Sequence, residues 1–148
     1  MGFTVEESVV IDRPREDVWD YVVEHDEWRR PQVVRVRKLT PGPPGSGTRY
    51  EDTVQMMGRE MRTVNEVLDF EPPSIISWTQ VDKGGPAYTV KGSYELEDLD
   101  GKTRFTLFGN YEAEGLWRLL VPLIRRQLQN DTYPTFLGQL KDILEGAR

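Results

Sequence analysis

The chain has 148 residues, a formal net charge of −6, no cysteine and a single histidine, His25. This length suits one domain, residues 1–148, which can bury a core without covalent or metal staples. The lack of cysteine excludes disulfides and thiolate catalysis, and one histidine cannot form a multi-histidine site, so we expect no metal and no cofactor. The acidic balance argues against general nucleic-acid binding.

The sequence carries no secretion or membrane-spanning pattern. Residues 2–7 follow Met1 without an apolar leader region, and no apolar run reaches the ~18 residues that cross a bilayer. We therefore expect a soluble cytoplasmic protein with no integral membrane segment. Basic clusters at residues 29–38 and 118–126 are typical of solvated surfaces, with an anionic ligand tail or partner as the alternative.

The first third of the chain predicts a strand, two short helices and a second strand. Residues 3–11 keep their apolar side chains on one parity, which predicts a strand with one buried face. A proline opens a short helix over residues 16–23, and residues 25–28 predict a second helix or turn. Residues 33–39 alternate valine with arginine, as in a strand with one wet face. Residues 40–47 predict a loop and lack the ending of a phosphate-binding P-loop.

Five further strands follow, arranged as two hairpins with a single strand between them. Residues 48–57 and 59–70 flank a glycine and predict a hairpin. Residues 74–81 predict the single strand. Residues 87–96 and 102–111 predict a hairpin around an Asp-Gly turn, which is a strong hairpin signal.

The last part of the chain predicts one long helix over residues 114–145. Its leucines and isoleucines recur at steps of three and four, with Gly115 as a plausible start and Gly146 as a natural stop. Pro122 and Pro134 each remove a helical hydrogen bond, so we expect a kink or short break near each.

The apolar stripe of this helix has a polar gap in its middle. Continuing the inward face past Leu123 lands on Gln127 and then on Asn130 or Asp131. One interpretation is that the helix bends and these residues reach solvent. The other is that they look into an internal cavity that holds water or a ligand.

These elements predict an α+β domain in which a curved seven-stranded antiparallel sheet wraps around a long C-terminal helix, with two short helices between strands 1 and 2. The space between sheet and helix is typically too deep to fill and suits a small apolar ligand. The residues expected to line it are Tyr50, Val54, Met56, Met61, Asn65, Trp78, Tyr88, Val90, Gly92, Tyr94, Phe105, Leu107, Gly109 and Tyr111 from the strands, with Leu123, Gln127 and Asp131 from the helix.

Five motifs in order resemble the polyketide cyclase/dehydrase branch of the START-like (SRPBCC, Bet v 1-like) superfamily. They are Val9–Trp19, Pro43–Tyr50, Glu71–Pro73, Asp100–Phe105 and Leu140–Glu145, and together they span essentially the whole chain. The resemblance implies the helix-grip fold, with a cavity between sheet and C-terminal helix that binds hydrophobic ligands. It implies no single chemistry, since the fold hosts carriers, sensors and enzymes and has no shared catalytic set.

Three residues are candidates for catalysis. His25 has an unperturbed pKa that suits a general base and is expected near one mouth of the pocket; the favoured alternative is a solvent-exposed histidine in a turn between two helices. Asp52 is a buried acid of raised pKa if it points inward, or else the partner of a nearby arginine. Tyr88, with Tyr94 and Tyr111, could donate to a ligand carbonyl, or these tyrosines are ordinary core aromatics.

The leading hypothesis is the binding of a small hydrophobic ligand: aromatic, polyketide-like, isoprenoid or acyl. The alternative is a cyclase, dehydratase or isomerase that acts on such a ligand, in which case Asp52 or His25 lines the cavity. A third hypothesis is a protein-interaction module that uses the helix surface Trp117–Arg126. The sequence leaves monomer and homodimer open.

Overall fold

The structure is a computed structural model that describes residues 2–23, 33–56, 58–82 and 87–146. In chain order its strands and its first helix are β1 (Gly2–Ile11), α1 (Arg15–Val22), β2 (Val33–Lys38), β3 (Arg49–Met56), β4 (Arg59–Glu71), β5 (Ile75–Gln80), β6 (Tyr88–Asp98) and β7 (Thr103–Glu112). The C-terminal helix follows as a 3₁₀ turn (Gly115–Leu120), α2 (Val121–Gln127), a π turn (Leu128–Thr132) and α3 (Tyr133–Gly146). The second short helix expected at residues 25–28, which includes His25, lies outside the described residues.

The strands form one curved, fully antiparallel seven-stranded sheet in the order β1-β7-β6-β5-β4-β3-β2. Strands that follow one another from β2 to β7 are neighbours, whereas β1 and β2 lie at opposite edges. The sheet and the long C-terminal helix make the helix-grip α+β fold that the sequence predicted.

Both predicted hairpin turns are present. Gly58 connects β3 to β4 with a φ of 75°, a value that glycine adopts without strain. Asp100 and Gly101 connect β6 to β7 with φ values of 57° and 92°. Positive φ at both central residues is what a type I′ hairpin turn requires, and Asp-Gly is a preferred pair there.

The C-terminal helix begins at Gly115 and ends at Gly146, and its helical type changes at each proline. Pro122 occupies the first turn of α2, where the missing N–H costs little. Pro134 is the second residue of α3, just after the π turn, and cannot donate to the carbonyl of Asn130, four residues earlier. The prolines therefore alter the winding of the helix without ending it. In the described part of the chain, no helix is both long enough and apolar enough to span a membrane.

Polar contacts attach the end of this helix to β1. The Lys141 ammonium donates to the carbonyl of Val10 at 2.6 Å and pairs with Glu145 at 2.6 Å. The Glu145 carboxylate in turn accepts from the backbone N–H of Asp12 at 2.8 Å. These contacts align α3 along the edge strand.

A second attachment joins the middle of the helix to β7 and β1. The Tyr133 hydroxyl hydrogen-bonds to the Tyr111 hydroxyl directly over Gly109, whose missing side chain makes room for both rings. Gln129 donates to the carbonyl of Glu6 at 3.2 Å. Burial raises the pKa of Tyr111 to about 12 and raises the pKa of Tyr133 further, so both phenols stay protonated at neutral pH.

Aromatic rings fill the space between the helix and the middle of the sheet. The Tyr94 ring lies 5.1 Å from Trp78 and 4.9 Å from Phe105, centroid to centroid, across three neighbouring strands. Phe136 of α3 stacks on Tyr94 at 6.2 Å. The face of the sheet that bears Tyr94 is called the inner face below.

Helix α1 closes one end of the sheet. Its buried Trp19 meets Phe70 edge-on at 5.5 Å, and Arg15 donates to the Ser74 hydroxyl at 3.0 Å. The sequence predicted Pro14 in the first turn of this helix. In the structure Pro14 is the N-cap residue, in an extended conformation, and the helix begins at Arg15.

Candidate ligand-binding site

The pairing register shows which side chains of β3, β4 and β5 share the inner face. Ile76 lies opposite Tyr94, so Trp78, two residues further on, also faces inward. Residues that lie directly opposite one another in a ladder have side chains on the same face of the sheet. The pairings of β5 with β4 and of β4 with β3 therefore identify the inward residues of these strands. The inward pairs are Val67 with Trp78, Asn65 with Gln80, Asn65 with Tyr50, Asp52 with Thr63, and Val54 with Met61.

Most of the predicted lining residues lie on this face. They are Tyr50, Val54, Met61, Asn65, Trp78, Tyr94, Phe105, Leu107 and Tyr111, together with Gly92 and Gly109. The side chain of Met56 is outside the described residues. The candidate acid Asp52 is fully buried on the inner face.

Tyr88 and Val90 do not lie where the sequence placed them. A β-bulge between residues 89 and 91 shifts the alternation of β6 at this point. Val90 is therefore exposed, and Tyr88 takes a ladder position opposite Glu112, away from the inner face. The Tyr88 hydroxyl donates to Glu114 at 3.2 Å, and partial burial together with this carboxylate raises its pKa.

The three helix residues expected in the pocket lie on the exposed side of the helix. Leu123 is 58% exposed, and Gln127 donates to Asp131 at 2.6 Å, with both side chains facing solvent. Two causes account for this correction. The buried stripe of α2 runs through Val121, Ile124 and Leu128, so Leu123 and Gln127 each lie one residue away from it. Beyond α2, the wider winding of the π turn moves the buried stripe from Leu128 to Tyr133, a step of five residues. A step of three from Leu128, as in a regular helix, would have turned Asp131 inward.

A cluster of polar side chains lies on the inner face of β3 and β4, at positions where apolar core residues would be expected. Asp52, Thr63 and Asn65 are all buried there. The Asn65 amide nitrogen donates to the Asp52 carboxylate at 2.6 Å and lies 3.5 Å from the Thr63 hydroxyl. The Asn65 carbonyl oxygen is buried and has no hydrogen-bond partner among the described residues. A buried acceptor left unpaired costs about 1–3 kcal/mol, so this oxygen is suited to receive a donor from outside the protein.

The neighbouring amide on β5 is satisfied by the protein itself. Gln80 accepts from the backbone N–H of Thr89 at 3.1 Å and donates to Asp82 at 3.2 Å. Gln80 and Asn65 lie opposite one another in the ladder, but of the two only the Asn65 carbonyl oxygen is left without a hydrogen-bond partner among the described residues. Among the described residues, no group of three acidic or histidine side chains could hold a metal ion.

Thr63 and Gln80 also lie on this face, although neither was among the predicted lining residues. Thr63 has the same parity as Met61 and Asn65, and Gln80 has the same parity as Trp78, so the strand alternation contained the signal. Aromatic, methionine and small residues were favoured as pocket lining, and this preference left the two polar side chains out of the prediction.

The fold and this buried face define a helix-grip domain of the START-like type. Residues 2–145 match the family described as "Polyketide cyclase / dehydrase and lipid transport". The chain therefore belongs to the polyketide cyclase/dehydrase and lipid transport family.

Solved structures share this fold at low sequence identity. The chain is similar to the Zhui aromatase/cyclase from Streptomyces sp. R1128, with a TM-score of 0.72 and 15% identity, covering 99% of this chain and 98% of that one. It is also similar to the di-domain ARO/CYC BexL, with a TM-score of 0.74 and 22% identity, covering 97% of this chain and 50% of that one. A Thalictrum flavum norcoclaurine synthase gives a TM-score of 0.67 at 10% identity, covering 99% and 96%. No curated protein matches the sequence.

Proposed function

We propose that this protein binds a small, largely apolar molecule that carries a hydrogen-bond donor, on the inner face of β3, β4 and β5. The observation that carries the proposal is the buried, unpaired carbonyl oxygen of Asn65. Protein interiors pair almost all of their buried polar atoms, and an exception commonly marks a functional position. A ligand hydroxyl would pair this oxygen.

The neighbours of Asn65 favour an aromatic or otherwise apolar ligand body. Tyr50, Val54, Met61 and Trp78 share the inner face with it and offer rings and flexible apolar side chains. An apolar site with a few polar groups that fix orientation is typical of small-molecule pockets. The family description and the fold shared with an aromatase/cyclase support the same ligand class, hydroxylated rings of the polyketide kind.

The carboxyl group of Asp52 narrows this class further. It accepts a hydrogen bond from the Asn65 amide nitrogen, so it lies close to the proposed acceptor, which is the oxygen of the same amide group. An ionised fatty acid would have to bury its charge beside another carboxyl group, which is less favourable than burying a neutral hydroxyl. Neutral phenols and alcohols are therefore favoured over free fatty acids.

The proposal is tested with phenols of two to four fused rings, beginning with 1-naphthol. Each phenol is paired with the arene in which a methyl group replaces the hydroxyl. Calorimetry should show the phenol binding about 2- to 12-fold more tightly, the range given by a hydrogen bond of about 0.5–1.5 kcal/mol. Asn65→Leu should abolish this preference, while Asn110→Leu, a matched change on the outer face opposite Thr4, should keep it.

Two results would contradict the proposal. In the first, none of the phenols binds the wild-type protein. In the second, the phenol preference is equally strong in the wild type, Asn65→Leu and Asn110→Leu. Unfolding by urea should be measured for both variants, so that a loss of binding is read only in folded protein.

A second candidate function is catalysis on the same ligand, and the burial of Asp52 favours it. A buried carboxylate next to a bound carbonyl compound is placed to take a proton from the adjacent carbon, as cyclisation and dehydration require. In this case Asp52→Asn should retain ligand binding but lose turnover, followed as the loss of one water by mass spectrometry. Binding with no change of the ligand by the wild type would leave the protein a carrier.

We infer that the protein works in the cytoplasm as one domain over residues 1–148, as the sequence predicts. Cell fractionation tests the location. Limited proteolysis tests the domain, since a single domain resists cleavage between its elements. Sedimentation equilibrium decides between monomer and homodimer.

A further inference from the structure

The first turns of the C-terminal helix present an apolar surface to solvent. In the 3₁₀ turn, Leu116 and Leu119 are 84% and 78% exposed. Side chains three residues apart eclipse one another in a 3₁₀ turn, so these two leucines lie on one side. The exposed side chains of this surface are Leu116, Trp117, Leu119 and Leu123.

These four side chains do not belong to the hydrophobic core of the described residues. The same helix buries Val121, Ile124 and Leu128 against the sheet. The exposed leucines lie on the sides of the helix that face away from the sheet, where a helix of a globular protein normally carries polar residues. A cluster of exposed large apolar residues on one element marks an interaction surface.

The charges of the segment point to the chemistry of the partner. Arg118, Arg125 and Arg126 are exposed beside the apolar residues. The sequence contains no acidic residue from Gly115 to Asn130, although the chain as a whole carries a formal charge of −6. The surface is therefore a basic and apolar patch on an acidic protein. We name it the basic-apolar surface, residues 116–126.

We propose that the basic-apolar surface docks the protein on an anionic lipid bilayer, with the leucines and Trp117 in the headgroup boundary and the arginines on the lipid phosphates. Leucine, tryptophan and arginine together are typical of helices that lie in a membrane interface. A second copy of this chain is a poorer occupant, because two such surfaces face to face would bring like charges together. This proposal stands on its own observations and does not depend on ligand binding at Asn65.

The test is co-sedimentation with vesicles of phosphatidylcholine, with and without phosphatidylglycerol. The protein should bind the anionic vesicles and not the neutral ones. Arg125→Gln with Arg126→Gln should weaken binding about 30-fold, because each basic residue near an anionic surface contributes about fivefold. Binding should fall further as salt is raised, since the screening length shortens from about 10 Å at 0.1 M to about 3 Å at 1 M.

The apolar part is tested by Leu116→Asn with Leu119→Asn, which should abolish vesicle binding. The matched control is Leu39→Asn with Leu68→Asn, two exposed leucines elsewhere on the molecule, which should leave binding unchanged. The difference in emission between the wild type and Trp117→Phe isolates this tryptophan from the others. It should shift to shorter wavelength with anionic vesicles.

Three outcomes would overturn the proposal. One is equal binding to neutral and anionic vesicles, and another is no binding to either. The third is a lipid-free dimer in sedimentation equilibrium that Leu116→Asn with Leu119→Asn dissociates, which would assign the surface to a second copy. All of these substitutions are at exposed positions, so circular dichroism should show an unchanged fold.

Discussion

Replacing Gly92 by alanine tests whether the inner face is packed as the structure describes. Gly92 lies opposite Trp78, and a Cβ at position 92 would stand 2.7 Å from the indole nitrogen and closer to two ring carbons. Such a contact requires the ring to move. Trp78 is buried, and its ring meets Tyr94 at 5.1 Å, so moving the indole disturbs this ring contact.

We expect Gly92→Ala to lower the free energy of unfolding by about 1–3 kcal/mol, the usual cost of overpacking a core. Gly138→Ala is the matched control, because a Cβ there meets nothing within 4 Å outside its own helix. In a helix, alanine is about 0.8–1 kcal/mol better than glycine, so the control should stabilise the protein. The same chemical change should thus have opposite signs at the two positions.

Urea unfolding followed by circular dichroism measures the free energy of unfolding of both variants. The slope of this free energy against urea concentration serves as a check on two-state behaviour. Trp78 is also a direct reporter, since its fluorescence should change in Gly92→Ala and stay constant in Gly138→Ala. If Gly92→Ala is as stable as the wild type while Gly138→Ala behaves as expected, the packing of Trp78 on Gly92 is refuted.

Three further predictions concern the attachments of the fold. Burial holds the pKa of Tyr111 at about 12, above its unfolded value of 10. Its contribution to stability is therefore complete below pH 10 and should be lost, on the order of 2–3 kcal/mol, as the pH rises from 10 to 12. Tyr111→Phe should reduce this loss in urea unfolding at alkaline pH, and an unchanged loss would contradict the assignment. Lys141→Met removes hydrogen bonds to β1 and to α3 and should lower the free energy of unfolding by about 1 kcal/mol. Lys91→Met, which breaks only an exposed pair of 3.5 Å, should change it by less than about 0.5 kcal/mol; equal effects would contradict a special role for Lys141. Gly101→Ala places a side chain at a φ of 92° and should destabilise the protein by about 1 kcal/mol in the same assay, whereas Gly45→Ala, at an open position without positive φ, should not.

Local sequence signals predicted the elements of this fold because each is encoded within a few residues. The Asp100-Gly101 pair defined the last hairpin, and Gly115 and Gly146 marked the ends of the C-terminal helix, as the structure has them. The family motifs agreed with this order of elements, and the family match over residues 2–145 confirms the resemblance.

The irregular steps in these elements could not be predicted from periodicity. The bulge at residues 89–91 and the π turn at Leu128–Thr132 each shift the alternation by one residue. Asp131 was predicted to face inward by assuming uniform helical winding, and Val90 by assuming a regular strand. Both errors come from the same cause, because a period describes side-chain directions only while the backbone is regular.

The candidate site depends on the pairing register between strands, which no local sequence pattern determines. Strand parity made Asp52 and Asn65 inward candidates separately. Their contact at 2.6 Å requires the hairpin at Gly58 to pair Asp52 with Thr63 and Tyr50 with Asn65. The unpaired oxygen of Asn65 follows only from the full set of neighbours around it.

The most direct test of the central claim is an isotope-filtered NMR measurement on the protein with labelled methionine, valine and leucine methyl groups and labelled asparagine side-chain amides. With a bound naphthol or larger phenol, we predict nuclear Overhauser contacts from the ligand ring to the methyl groups of Met61 and Val54, and a shift of the Asn65 side-chain amide. Ligand contacts confined to labelled leucines of the basic-apolar surface, with Asn65 unshifted, would contradict binding on the inner face.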